Sequence, residues 1–61
     1  MQVIYSRHDG GWVAILGNAD EYFLQGQEAW ELLNRADDIA DFRGVSEQES
    51  LQMASRAMGY Y

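Results

Sequence analysis

The chain has 61 residues, with ten acidic side chains, four arginines, no lysine, no cysteine and a formal net charge of −6. This length predicts one small acidic domain over residues 1–61, burying roughly 60% of its unfolded surface. The missing thiols exclude disulfides and cysteine-ligated zinc. The acidity disfavours direct binding to nucleic acid or to an anionic membrane. An acidic surface would attract a basic protein partner. The alternative is that the acidity serves solubility alone.

Size and the start of the chain set two further expectations. A core this small, without covalent staples, supplies only about 3–5 kcal/mol, so we expect self-association or a stabilising partner. Residues 1–7 lack the basic start and long apolar stretch of a signal peptide. The expected compartment is therefore the cytoplasm.

The first predicted elements are two β-strands joined by a hairpin turn. Val3–Arg7 and Trp12–Leu16 are rich in β-branched and aromatic residues. Between them, Asp9-Gly10 supplies the positive φ angles of a two-residue turn. This turn predicts a register with Arg7 opposite Trp12, Tyr5 opposite Ala14, and Ile4 opposite Ile15.

A third strand completes the predicted antiparallel meander. It covers residues 22–25 and follows a turn at residues 17–20. Alternation of side chains places two apolar sets on opposite faces of the sheet. One set is Ile4, Val13, Ile15, Tyr22 and Leu24, and the other is Val3, Tyr5, Trp12, Leu16 and Phe23. Two helices can cover one of these faces, so the other is expected to stay open.

From Gln27 the apolar period becomes helical, with Gly26 as a plausible N-cap. The inward stripe contains Ala29, Leu32, Leu33, Ala36, Ile39 and Ala40. Three acids near the C-terminal end oppose the helix dipole, namely Asp37, Asp38 and Asp41. Either the helix breaks near Asp37, or this acid cluster is retained for binding.

A second helix is predicted from about Glu47 to Met58. Gly44 ends the preceding segment, Ser46 and Glu49 match a capping box, and Gly59 is a natural C-cap. Its apolar stripe is Leu51, Ala54, Met58 and Tyr61. The fold class is thus α+β, in the order β-β-β-α-α, with a three-stranded antiparallel meander packed on one face by two helices.

No constellation for catalysis is evident, and we expect neither enzymatic activity nor a cofactor. His8 is the single histidine, lies in a predicted turn, and has only Ser6 nearby as a nucleophile, without an orienting acid. The aspartates of the first helix lack the spacing of a calcium loop, so no metal site is predicted. No glycine-rich phosphate loop is present.

Protein recognition is the function that remains. We predict that a basic partner is bound by acids on the helix side: Glu31, Asp37, Asp38 and Asp41. We also predict a homodimer, formed through apolar residues on the uncovered sheet face: Tyr5, Trp12, Leu16 and Phe23. Two alternatives stay open, a homo-oligomeric structural subunit whose acidity serves solubility, and a small DNA-binding regulator that uses the second helix.

Three segments resemble the N-terminal domain of HicB-type antitoxins, within residues 3–40. They are Asp9–Ala14, with an aromatic after the double glycine, Phe23–Gly26 and Glu28–Leu33. The chain departs from that family at residues 17–21, where a proline-containing loop is usual, and in having one acidic helix in place of a DNA-binding module. The resemblance implies a self-associating acidic antitoxin that masks a small basic RNA-cleaving toxin. A phage-type inhibitor resembling anti-CRISPR proteins, which block nucleic-acid grooves by charge mimicry, is an equal alternative.

Overall fold

The computed structural model describes residues 1–8 and 10–60, in which three strands precede two helices. The strands are β1 (Gln2–Ser6), β2 (Trp12–Leu16) and β3 (Glu21–Gln25), and the helices are α1 (Gln27–Arg43) and α2 (Glu47–Ala57). The sheet is antiparallel, in the order β1-β2-β3. The predicted α+β class and its β-β-β-α-α order are confirmed.

The predicted hairpin register is wrong by one residue. The observed partners are Ser6 with Trp12, Tyr5 with Val13, Ile4 with Ala14, and Val3 with Ile15. A one-residue shift turns every side chain of a strand to the opposite face. In β1, therefore, Val3 and Tyr5 point towards the helices, whereas Ile4 points away from them.

The hairpin loop packs against α1. Gly11 does not pair in the sheet but has φ 81°, and its N–H donates to the His8 carbonyl (3.0 Å). A Cβ at Gly11 would lie 2.8 Å from the indole of Trp30, and the indole Nε1 donates to the Gly10 carbonyl (2.9 Å). The predicted two-residue turn included Asp9, which lies outside the described residues. The helix thus holds Gly11 within the loop.

Both helices pack on the same face of the sheet. The buried sheet residues are Val3, Val13, Ile15 and Leu24, and the helices contribute Ala29, Leu32, Leu33, Ala36, Leu51 and Ala54. Two buried serines lie in α2, where the hydroxyl groups of Ser50 and Ser55 donate to carbonyls of the preceding turn. Burial of these small polar side chains is therefore accompanied by hydrogen bonding.

α1 continues unbroken past Asp37 to Arg43, so the break considered at Asp37 does not occur. Gly44 ends it in the left-handed conformation (φ 68°), with its N–H donating to the Ala40 carbonyl (2.8 Å). Ser46 accepts the Glu49 N–H at the start of α2 (3.3 Å), as the capping box predicts. Among residues 1–8 and 10–60, no helix is long and apolar enough to cross a membrane.

α2 covers the outer edge of β1 through two glutamine side chains. The Gln48 amide accepts the Val3 N–H (2.8 Å) and donates to the Val3 carbonyl (3.0 Å). Gln52 donates to the Met1 carbonyl (3.2 Å). An edge strand with free backbone groups is a template for unwanted pairing, and these contacts occupy part of that edge.

Candidate protein-binding surfaces

An open groove of about 1000 Å³ runs along the exposed side of α1 and reaches the end of α2. We call it the α1 groove. Its lining residues are Glu31, Asn34, Arg35, Asp38, Ile39, Asp41, Phe42 and Arg43 from α1, and Met58 from α2. The groove therefore combines carboxylates, guanidinium groups and apolar side chains on one helix surface.

Phe42 is the most unusual residue of the α1 groove, because 91% of it is exposed. The groove also contains the half-buried Ile39 and Met58, which pack against the edge of the core. Large exposed aromatic side chains are typical anchors of protein interfaces. The sequence reasoning missed Phe42, although an aromatic residue outside the inward stripe of α1 was a signal that could have identified it.

The structure separates the predicted acidic residues into two groups. Glu31, Asp38 and Asp41 line the α1 groove, and their role in partner binding stays a prediction. Asp37, in contrast, accepts two hydrogen bonds from Nη2 of Arg7 (2.9 and 3.1 Å), which ties α1 to the hairpin loop. Asp37 is therefore paired with an arginine, and Glu31 accepts a hydrogen bond from the side-chain amide of Gln27 (3.1 Å). Among the described residues, Asp38 and Asp41 have no such partner.

The second surface is the uncovered side of the sheet, which we call the open sheet face. Its apolar residues are Ile4, Trp12, Ala14, Leu16 and Phe23. Phe23 is 60% exposed and Ile4 42% exposed, and the rings of Trp12 and Phe23 stack with centroids 5.9 Å apart. Trp12, Leu16 and Phe23 thus lie where the sequence placed them.

Tyr5 is the exception, and its predicted position on this face is wrong. The corrected register turns it towards the helices, where its hydroxyl donates to Glu47 of α2 (2.5 Å) and its ring lies beside the Arg7 guanidinium. The hydrogen bond to Glu47, followed by burial, raises the pKa of Tyr5 above 10.0. Ile4 takes its place on the open sheet face, because β1 pairs one residue out of the predicted register.

The groups considered for other chemistries have local roles. Ser6 accepts the backbone N–H of His8 on its hydroxyl oxygen (3.1 Å), so this serine is engaged in the turn. Within residues 1–8 and 10–60, no three histidine or acidic side chains come together as a metal site. The two glutamines of α2 that a DNA-recognition helix could present are bonded to the edge of β1.

No protein-family model, curated protein or solved structure matches this chain. The resemblance to HicB-type antitoxins accordingly stays a prediction.

Proposed function

We propose that this protein is a non-catalytic binding module that docks a basic, nucleic-acid-handling protein in the α1 groove, as an inhibitor or antitoxin would. The observation that carries the proposal is Phe42, an aromatic side chain 91% exposed in a groove lined by three carboxylates and two guanidinium groups. Exposed aromatic residues supply contact area at low entropic cost, and the surrounding charges select the partner.

The charge distribution supports a basic partner. Seven of the ten acidic residues lie in the two helices, and the net charge is −6. Such a field accelerates encounter with a basic surface and weakens as salt is added. Because Arg35 and Arg43 also line the α1 groove, we expect basic side chains of the partner to face Asp38 and Asp41, with an apolar residue against Phe42.

The test uses synthetic peptides, each carrying one phenylalanine or leucine among arginines and lysines, and a matched set with glutamate at the basic positions. The basic set should bind and the acidic set should not. Phe42→Ser removes the anchor, and a loss of about 2 kcal/mol corresponds to roughly 30-fold weaker binding.

The adjacent aspartates provide a matched control for the electrostatic part. Asp38→Asn should weaken binding about two- to fivefold and flatten its salt dependence, as expected for a partly exposed charge pair. Asp37→Asn removes the same charge one residue earlier, but that carboxylate is already bonded to Arg7 and should have a smaller effect. Equal binding of the acidic peptides, or full binding by Phe42→Ser, would rule out the proposal.

A further inference from the structure

The open sheet face lies on the opposite side of the sheet from the helices, and it calls for a different occupant. Across the three strands, the central row is Ile4, Ala14 and Phe23. A small residue thus lies between two large and strongly exposed ones. Neighbouring Cβ atoms in such a row are about 5 Å apart, so the row forms a hollow over Ala14 flanked by projecting side chains.

We infer that a second copy of this chain covers the open sheet face. The face carries both halves of a self-complementary contact, the hollow at Ala14 and the Phe23 ring, which stacks on Trp12 but stays 60% exposed. In a twofold dimer, the Phe23 ring of each copy fills the hollow of the other, so the same contact is made twice. The two sheets then stack about 10 Å apart, as in a β-sandwich.

Charge argues for a second copy over a basic protein. Of the side chains that the three strands direct to this face, Glu21 at one corner is the only ionisable one, and Gln2, Ser6 and Gln25 are neutral. A basic partner would find no acidic surface here. The acids of the helices lie a layer away, about 10 Å from the sheet, which exceeds the screening length of about 8 Å at physiological salt. Charge repulsion between the two copies therefore opposes this contact only weakly.

The available area fits a moderate dimer. The Cα trace measures 28 × 27 × 16 Å, so the protein is a flat disc. One broad side of that disc offers at most about 600 Å² per protomer, the lower end of the range for stable interfaces. We expect a dissociation constant in the range of tens of micromolar, within reach of sedimentation equilibrium.

The experiment compares three variants of the full chain by sedimentation equilibrium. Phe23→Ser and Ala14→Glu both alter the open sheet face, and each should raise the dimer dissociation constant at least tenfold. Phe42→Ser removes an even more exposed ring from the α1 groove and should leave this constant within twofold. Circular dichroism of each variant verifies the fold, and Ala14→Glu keeps the test valid if Phe23→Ser unfolds.

Salt and peptide binding separate this dimer from the proposed function. Raising NaCl from about 0.05 M to about 0.5 M should leave the dimer as tight or tighten it, because its contacts are apolar and salt screens the repulsion between two acidic copies, while basic-peptide binding weakens. Monomer at about 500 µM, or a dimer that tolerates both face variants, would overturn the inference. Weaker basic-peptide binding by Phe23→Ser would overturn it too, because the face would then belong to the basic partner.

Discussion

Gln48 joins α2 to the edge of the sheet through both ends of its side-chain amide, and its removal tests how the two layers are held together. The amide accepts the Val3 N–H at 2.8 Å and donates to the Val3 carbonyl at 3.0 Å. Two such bonds amount to about 1–3 kcal/mol. Gln48 is itself exposed, so water replaces part of them, and we expect Gln48→Ala to lower the free energy of unfolding by about 1–2 kcal/mol.

That loss is large for this chain. A 61-residue core without staples supplies only about 3–5 kcal/mol, so the melting temperature should fall by roughly 5–15 °C. Gln52→Ala is the matched control, because it makes the same change one helical turn later. It removes the 3.2 Å bond to the Met1 carbonyl and a longer one to Gln48 Oε1 (3.5 Å), but leaves both bonds between Gln48 and Val3 in place. The reasoning is refuted if urea unfolding gives the two variants the same free energy.

Gln48→Glu adds a pH-dependent arm to the same test. An ionised carboxylate accepts the Val3 N–H but repels the Val3 carbonyl, whereas a protonated one can donate to it, as the amide does. The folded state therefore raises the pKa of the new carboxyl above about 4.3. The deficit relative to the original chain should be largest at neutral pH and shrink as the pH falls through that value, while Gln48→Ala shows no such recovery.

Three further predictions concern the hairpin loop, the hydroxyl of Tyr5 and the N-cap of α2. Gly11→Ala should lower the free energy of unfolding by about 1–2 kcal/mol more than Gly10→Ala does. Both glycines have a positive φ, but only at Gly11 would a Cβ meet the Trp30 indole, at 2.8 Å. Urea unfolding of both variants measures the difference. Tyr5→Phe should lower the free energy of unfolding at neutral pH, because it removes the hydrogen bond from the Tyr5 hydroxyl to Glu47. That bond needs the hydroxyl proton, so the difference between the variant and the original chain should vanish as the pH rises through the raised pKa of Tyr5. A difference in unfolding free energy that persists at alkaline pH would contradict this. Ser46→Ala should cost about 1 kcal/mol with an unchanged denaturant m-value, because it removes the N-cap of α2.

Local features of the sequence were sufficient for the elements and their order. The glycines at 26 and 44 and the capping box at Ser46 mark the helix boundaries, and apolar periodicity separates strands from helices. These signals depend on residues a few positions apart, so they can be recognised in the sequence alone. Three of the four acids predicted to share a surface also lie in one groove, since helical spacing alone brings Glu31, Asp38 and Asp41 to one side of α1.

The tertiary structure decided the register, the faces and the partners of individual side chains. Trp30 lies 19 positions from Gly11 in the chain, yet its indole occupies the space a side chain would need at this glycine. The observed pairing of β1 with β2, one residue from the predicted register, turns Tyr5 inward and Ile4 outward. Nothing in the sequence distinguishes Asp37 from Asp38, but the fold places Arg7 within hydrogen-bonding distance of Asp37. Such contacts join residues far apart in the chain, where neither propensity nor periodicity carries information, and only the packing of the helices on the sheet determines them.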